Sequence, residues 1–240
     1  MELREFITRA QRVQDTDMLW ALSLEFFHGF GVRMVGYRYF VGLPDPNEVP
    51  VMATDGIPQA FLERILNERL YLLNPIPDIV SRSTEPMFWS DVARMSDLLE
   101  EETAFIDDVL QKNLGDGLAI PVFGPTSRNG LFQLAYGGAR PATSQRDARV
   151  IQLGAQLAHL TYCKMSERGQ VDSHGMTDRE KEVLAWIAKG KSNSVIADIL
   201  GISIHTVDTH VRRIFRKLGV NDRTTAAVKG LGVGVLQPAA

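Results

Sequence analysis

Apolar and polar positions change their period several times along this chain. In residues 205–218, HTVDTHVRRIFRKL, the side chains Val207, Val211, Ile214 and Leu218 recur at i, i+4, i+7 and i+11, one narrow apolar stripe on a helix. Thr209, Arg212, Arg213 and Arg216 take the opposite face, with His205 and Asp208 on the flank. Upstream, ATSQRDARVIQLGAQLAHLTYCKM (142–165) sets Val150, Leu153, Leu157 and Leu160 at helical spacing and predicts a long helix. DMLWALSLEFFHGFG, which ends on glycines, IPQAFLERILNERL and ETAFIDDVLQKNL predict three more. RMVGYRYFVG has strand composition, and GLAIPVF and GLFQLAYGG, joined by the turn-rich GPTSRN, read as a hairpin. The first 165 residues are therefore expected to form an antiparallel sheet packed between helices.

The ten residues SERGQVDSHG (166–175) lack apolar periodicity and read as a linker. A second domain, 176–240, follows with four short helices. Its first helix, TDREKEVLAWIAKGK, opens with Thr177 and Glu180 at capping-box spacing and runs to Gly190. Ser192 or Ser194 caps the second, SVIADILG, which stops at Gly201; Ile202 and Ser203 turn the chain into the basic helix. A short helix, a glycine-containing turn and a longer helix with a basic outer face form a helix-turn-helix.

Charge supports that division. The chain of 240 residues has a net charge of −3, but residues 176–240 hold ten Lys or Arg against six Asp or Glu, while the remainder holds 16 against 23. A basic module at +4 on an acidic body at −7 is the footprint of a polyanion-binding domain. In a major groove, Thr206, Asp208, Thr209 and Arg212 would sit at base edges; Arg213, Arg216 and Lys217, with Lys191 and Ser192 at the start of the second helix, would meet phosphates. Thr206 has a competing reading as a helix cap, and Lys217 as a cation favouring the helix C-terminus.

Other classes find little support. No stretch reaches the roughly 18 to 20 apolar residues of a membrane helix, and the charged N-terminus lacks an apolar signal core, so a cytoplasmic protein without a membrane partner is expected. The single cysteine, Cys163, allows neither an internal disulfide nor a cysteine-based metal cluster. His28, His159, His174, His205 and His210 are scattered, and no zinc-protease, nucleophile-elbow, P-loop or dinucleotide motif occurs. Neither an enzyme nor a bound cofactor or metal is expected.

The C-terminal residues Thr177-x-Arg179-Glu180, Glu182-Val183-Leu184, Gly190-Lys191, Ile196-Ala197, Leu200, Thr206-Val207, His210, Lys217-Leu218 and Arg223-Thr224-x-Ala226 resemble the LuxR-type DNA-binding domain over about 60 residues. The resemblance implies that Glu180, Leu184 and Gly190 are framework positions and that the fourth helix, TTAAVKGLGVGVL, is a dimerisation face. Asp208 departs from it, standing where relatives commonly carry a basic base-reading side chain; a carboxylate there would accept from cytosine N4.

NPIPDIVSRSTEPMFW and DGLAIPVFG resemble the autoinducer-binding domain of quorum-sensing regulators, which bind N-acyl-homoserine lactones between a five-stranded antiparallel sheet and a helical layer. Trp89 matches the tryptophan whose indole N–H meets the lactone carbonyl, and Gly117, Pro75 and Pro86 match in step. Asn74 replaces the family aspartate that accepts the ligand's amide N–H; Phe61 and Ile65 replace an aromatic pair. Gln133 stands where small hydroxyl residues are usual, and Ala119 faces the same space.

The fold implied is α+β: an N-terminal α/β/α sandwich with a five-stranded antiparallel sheet and a C-terminal four-helix helix-turn-helix domain. The function implied is a dimeric quorum-sensing transcriptional regulator on two-fold-related DNA half-sites, with RNA polymerase admitted as a further partner. Three readings of the pocket remain open: an acyl-homoserine lactone site with Tyr37, Tyr39 or Gln133 as repositioned donors, a site for a different small molecule, or a self-filled pocket in a ligand-independent dimerisation or anti-activator protein.

Overall fold

The computed structural model describes residues 1–40, 52–95, 97–125, 128–142, 145–169 and 175–232. His174, the tip of the expected hairpin turn, half of the expected linker and the end of the fourth C-terminal helix lie outside the described residues. The chain divides into two compact units, the first ending at Met165.

The first unit is built on a five-stranded antiparallel sheet in the order β2-β1-β5-β4-β3: β1 Met34–Tyr39, β2 Met52–Asp55, β3 Met87–Phe88, β4 Gly117–Val122 and β5 Gly130–Ala135. Gly36, Gln133, Ala119 and Met87 stand abreast across four strands, as do Tyr37, Phe132 and Ile120 one step along. Because side chains alternate along a strand, these two rows face opposite sides. The Tyr37 row belongs to the dry core, where Val35, Tyr37, Phe132, Leu134, Leu118 and Ile120 pack against α1 (Leu3–Ala10), α2 (Thr16–His28) and α7 (Gln145–Gly169) through Phe6, Phe26, Phe27, Ile151, Ala155 and Ala158. The Gln133 row faces a second layer of short helices: α3 Gln59–Asn67, α4 Ile76–Ser81, α5 Trp89–Val92 and α6 Glu100–Asp108. The unit is thus the expected α/β/α sandwich.

The expected long helix closes this unit. Ile151, Ala155, Ala158, His159 and Cys163 are buried on it, and Gly154 lies so close to Phe26 that an added Cβ would come within 2.1 Å of the ring. The stripe of large apolar residues is split: Val150 and Leu157 pack partly on the core, while Leu153 is 57 % and Leu160 44 % exposed. α7 also continues four residues into the segment expected to be linker, ending at Gly169.

The second unit holds α8 Asp178–Ala188, α9 Asn193–Leu200, α10 Ile204–Leu218 and α11 Arg223–Gly232. Thr177 and Glu180 form the capping box of α8. Ser192 caps α9, Gly201 ends it at φ 64°, a left-handed backbone that favours glycine, and Ser203 caps α10. Val207, Val211, Ile214 and Leu218 are the buried stripe of α10 and meet Val183, Leu184, Ile187 and Ile196. Glu180 is buried beneath them, and its Oε2 accepts from Lys217 Nζ at 2.6 Å. Burial raises the pKa of this carboxyl, but the hydrogen bonds from Lys217 and Thr177 outweigh it and hold the group below its ordinary value.

A carboxyl whose folded pKa is depressed stabilises the fold above the ordinary value of 4.5 and loses that contribution as pH falls toward the lower folded value. The melting temperature of the full chain's C-terminal transition is accordingly expected to drop on acidification below pH 4.5. Lys217→Ala, which strands a buried carboxylate, should cost about 3 kcal/mol at pH 7 and abolish that acid-side loss. Calorimetry across pH 3 to 7 checks both, and an unaltered melting profile for the variant would remove the ion pair from the account.

Candidate functional site

A cavity opens on the Gln133 face of the sheet, roofed by α3, α4, α5 and α6; its empty space, open mouth included, is about 720 Å³. The volume to set beside known small-molecule sites is about 80 Å³, below their usual range. Phe61 and Ile65, one turn apart on α3, line it together with Asn74, Trp89 and Gln133. Ala119 is fully buried beside Gln133 in the strand register. Five expected residues therefore line one cavity, from α3, α5, β5 and the loop before α4, with Ala119 of β4 alongside.

Trp89 is fixed from below. Gly117 has no room for a side chain, since a Cβ would lie 2.7 Å from three atoms of the indole. The buried carboxylate of Asp116 accepts from Ser90 N at 3.1 Å, from Ser90 Oγ at 2.6 Å and from Gly117 N at 2.8 Å, tying the start of α5 to the start of β4. The ring is 2 % exposed, and its Nε1–H finds no hydrogen-bond partner among the described residues. A buried donor without a partner costs roughly 1 to 3 kcal/mol, so the arrangement favours a ligand that supplies an acceptor.

Tyr37 and Tyr39, expected as substitute donors in this cavity, do not line it. The strand places both on the opposite face: Tyr37 Oη is 2.8 Å from His159 Nδ1, and the Tyr39 ring packs against Tyr162 with centroids 5.3 Å apart. Burial pushes the Tyr37 hydroxyl far up from its ordinary pKa, so it stays neutral. The residue between them, Arg38, faces the cavity instead. Burial lowers its pKa and Asp78 pushes it back up. Arg38, Tyr71 and the apolar Leu62, Phe105 and Leu114 escaped the sequence reading. Arg38 lies on a strand buried along most of its length on both sides, where apolar alternation gives no signal, and Tyr71 lies in a 3-10 turn, Leu70–Leu72, that carries no periodic signal.

On the second unit, α10 presents Arg212, Arg213 and Arg216 as exposed cations, with Lys191 exposed just before α9. Thr206 and Thr209 are partly exposed on the same helix; Thr206 Oγ1 pairs with the Ser203 hydroxyl at 2.8 Å and Thr209 Oγ1 donates to His205 O at 3.0 Å. Thr206 is not the cap, because Ser203 is. Ser192 caps α9 and shares a hydrogen bond with Ser194.

Two expected DNA contacts are occupied within the unit. Lys217 turns inward to Glu180 and to Gly175 O. Asp208 Oδ1 accepts from Asn193 Nδ2 at 2.6 Å, and Asn193 Oδ1 in turn accepts from Arg223 NH1 at 2.8 Å, while Arg223 also donates to Lys191 O. This chain joins α9, α10 and α11 and turns the acidic residue of α10 into a strut. It was invisible in sequence because 15 and 30 residues separate its members.

A small-molecule cavity in an α/β/α domain, followed by a basic helix-turn-helix, defines a ligand-controlled DNA-binding regulator. Residues 15–162 match the family described as autoinducer binding domain, and residues 174–229 match bacterial regulatory proteins of the luxR family. The chain belongs to the LuxR family of quorum-sensing transcriptional regulators. It is similar to the activator AhyR of Aeromonas hydrophila (26 % identity; 99 % of this chain, 93 % of AhyR). It also resembles y4qH of Sinorhizobium fredii, described as an HTH-type regulator (29 % identity over 75 % of this chain); the matched part spans 55 % of y4qH. The fold matches that of Escherichia coli SdiA (TM-score 0.77, 20 % identity, 98 % of each chain) and of SdiA in complex with octanoyl-rac-glycerol (TM-score 0.75, 20 % identity, 99 % and 96 % covered). These relatives and domains are those of regulators, not enzymes.

The strut makes a specific expectation. Asp208→Ala and Asn193→Ala should each lower stability, and the double variant should show a coupling of roughly 0.5 to 3 kcal/mol. Base preference at every operator position should be unchanged in Asp208→Ala, measured by selection from a randomised DNA pool. A changed preference at one position would make Asp208 a base reader after all.

Proposed function

We propose that this protein is a homodimeric, cytoplasmic transcription regulator that binds two-fold-related sites in double-stranded DNA through α10, under control of an N-acyl-homoserine lactone or an analogue held in the cavity of the first unit. The observation that carries the ligand half is the buried, unpartnered indole N–H of Trp89 on the cavity wall. Phe61 and Ile65 offer the surface for an acyl or aryl tail, with Ala119 and Gln133 on the sheet beneath it. SdiA, which shares the fold, is described in complex with octanoyl-rac-glycerol. Residues 1–165 are the ligand domain, 166–175 the connection and 176–240 the DNA-binding domain in this reading.

For DNA, Thr206, Thr209 and Arg212 are proposed to read base edges, and Lys191, Ser192, Arg213 and Arg216 to hold phosphates. Lys217 and Asp208 are left out, since their polar atoms are engaged inside the unit. Dimerisation is supported by α7, where Leu153 and Leu160, seven residues apart, are exposed apolar side chains on one face. Dimers of helix-turn-helix modules bind half-sites about one turn of DNA apart. RNA polymerase remains a proposed partner of the DNA-bound dimer.

Two measurements test this. Arg212→Ala with Arg216→Ala should abolish retention of DNA at physiological salt and, through the phosphate contact of Arg216, reduce the slope of log affinity against log salt by about 1, with ligand binding intact. Leu153→Glu with Leu160→Glu should shift the full protein to monomer in sedimentation and weaken DNA binding. Unchanged retention, or an unchanged sedimentation coefficient, would remove the corresponding half of the reading.

A further inference from the structure

Asn74 decides which polarity the cavity offers at the middle of a ligand. Its Oδ1 accepts the backbone N–H of Ile76 at 3.1 Å, at the start of α4. Only the oxygen of a carboxamide accepts a hydrogen bond from an N–H, so the other terminal atom of Asn74 is the amino group, a donor. A carboxylate in the same pose would hold Ile76 with one oxygen and keep the second for a ligand N–H. Most of the remaining polar wall leans the same way. Trp89 brings an indole N–H without a partner among the described residues and Arg38 a guanidinium that has donors only. Gln133 and Tyr71 can both donate and accept, and no Asp or Glu among the described residues lines the cavity. An amide ligand would set its own N–H against the amino group of Asn74, leaving a donor facing a donor.

We infer that the cavity selects a ligand whose polar centre presents oxygen acceptors and no N–H, an acyl or aryl chain ending in an ester or a carboxylate, in preference to an N-acyl amide. The inference rests on the reading of this cavity as a ligand site and specifies the chemistry of its occupant. Phe61 and Ile65 take the chain, and Trp89, Asn74 and Arg38 converge on the oxygens.

The test uses the full protein, confirmed free of bound small molecule, and three probes with one acyl chain: N-octanoyl-homoserine lactone, its ester isostere α-octanoyloxy-γ-butyrolactone, and octanoate. Titration calorimetry with wild type should give the ester or the carboxylate at least about tenfold tighter binding than the amide, equal to about 1.4 kcal/mol. Asn74→Asp, which restores an acceptor with almost no change of shape, should reverse the order of ester and amide. Octanoate as the tightest probe, with its binding lost in Arg38→Met, assigns the acid class; the ester as the tightest assigns the neutral class; both uphold the inference. Amide binding equal to or tighter than both other probes in wild type overturns the inference and leaves the receptor reading standing. Binding of none of the three overturns the receptor reading, and the inference falls with it. The wild-type comparison decides the matter even if Asn74→Asp does not fold.

Discussion

The alternation of side chains along β1 and β5 is the constraint on which the first unit depends. Tyr37 and Phe132 point into the core under α2 and α7, while Arg38 and Gln133 point into the cavity under α3 and α4. A slip of one residue in either strand would exchange the two sets, burying a guanidinium against Phe27 and filling the cavity with aromatic rings. One face must therefore be dry and closely packed for the other to remain open and polar. Tyr37 shows how tightly the dry face is specified: its hydroxyl is satisfied inside the core by His159, a residue of α7, so even the polar atoms there need nothing from a ligand.

The second unit resolves a different conflict, between a core that needs polar closure and a surface that needs free positive charge. Glu180 is buried and must be paired, and the cation that pairs it comes from the recognition helix itself. Asp208 would repel phosphates if it stood free; bonded to Asn193 and backed by Arg223, its charge is held within the unit. What is left outward on α10 is Arg212, Arg213 and Arg216 with no exposed carboxylate between them. The formal balance of +4 over residues 176–240 thus understates the field at the face of α10, because its compensating acids lie elsewhere.

Legibility in the sequence followed the size and spacing of side chains. The α10 stripe, the capping box of α8 and the glycine stop of α9 were readable because each is a local pattern of distinct residue types. Trp89 and Gly117 were readable only through the family resemblance, and their close packing explains why they travel together. The faces of β1 were not readable: MVGYRY is buried along most of its length on both sides, so hydrophobic alternation carries no signal there. The inner face of α7 carries little signal of its own: besides Ile151 it is made of Gly154, Ala155, Ala158, Cys163 and a hydrogen-bonded His159, mostly small or polar residues, while Leu153 and Leu160 lie outside. Lys217 and Asp208 looked like DNA contacts because their partners, Glu180 and Asn193, are distant in sequence. Strands β2 and β3, of four and two residues, are too short to have a period.

These placements also constrain how a ligand could act. The cavity and the outward stripe of α7 lie on opposite sides of the sheet, separated by the aromatic core of Tyr37, Phe132 and Phe27. A close-packed core of this kind does not deform gradually. The cavity side is different: its helices are four to nine residues long, and the Trp89 donor within it is unsatisfied. A ligand bound there supplies the missing acceptor and apolar contact to the weakest layer of the domain, and it favours the folded state by an amount set by its concentration relative to its dissociation constant. Because α7 is held in place by the same sheet, stabilising that layer raises the population of domains able to present α7. A ligand that favours the folded first unit therefore needs no path across the core to act on α7.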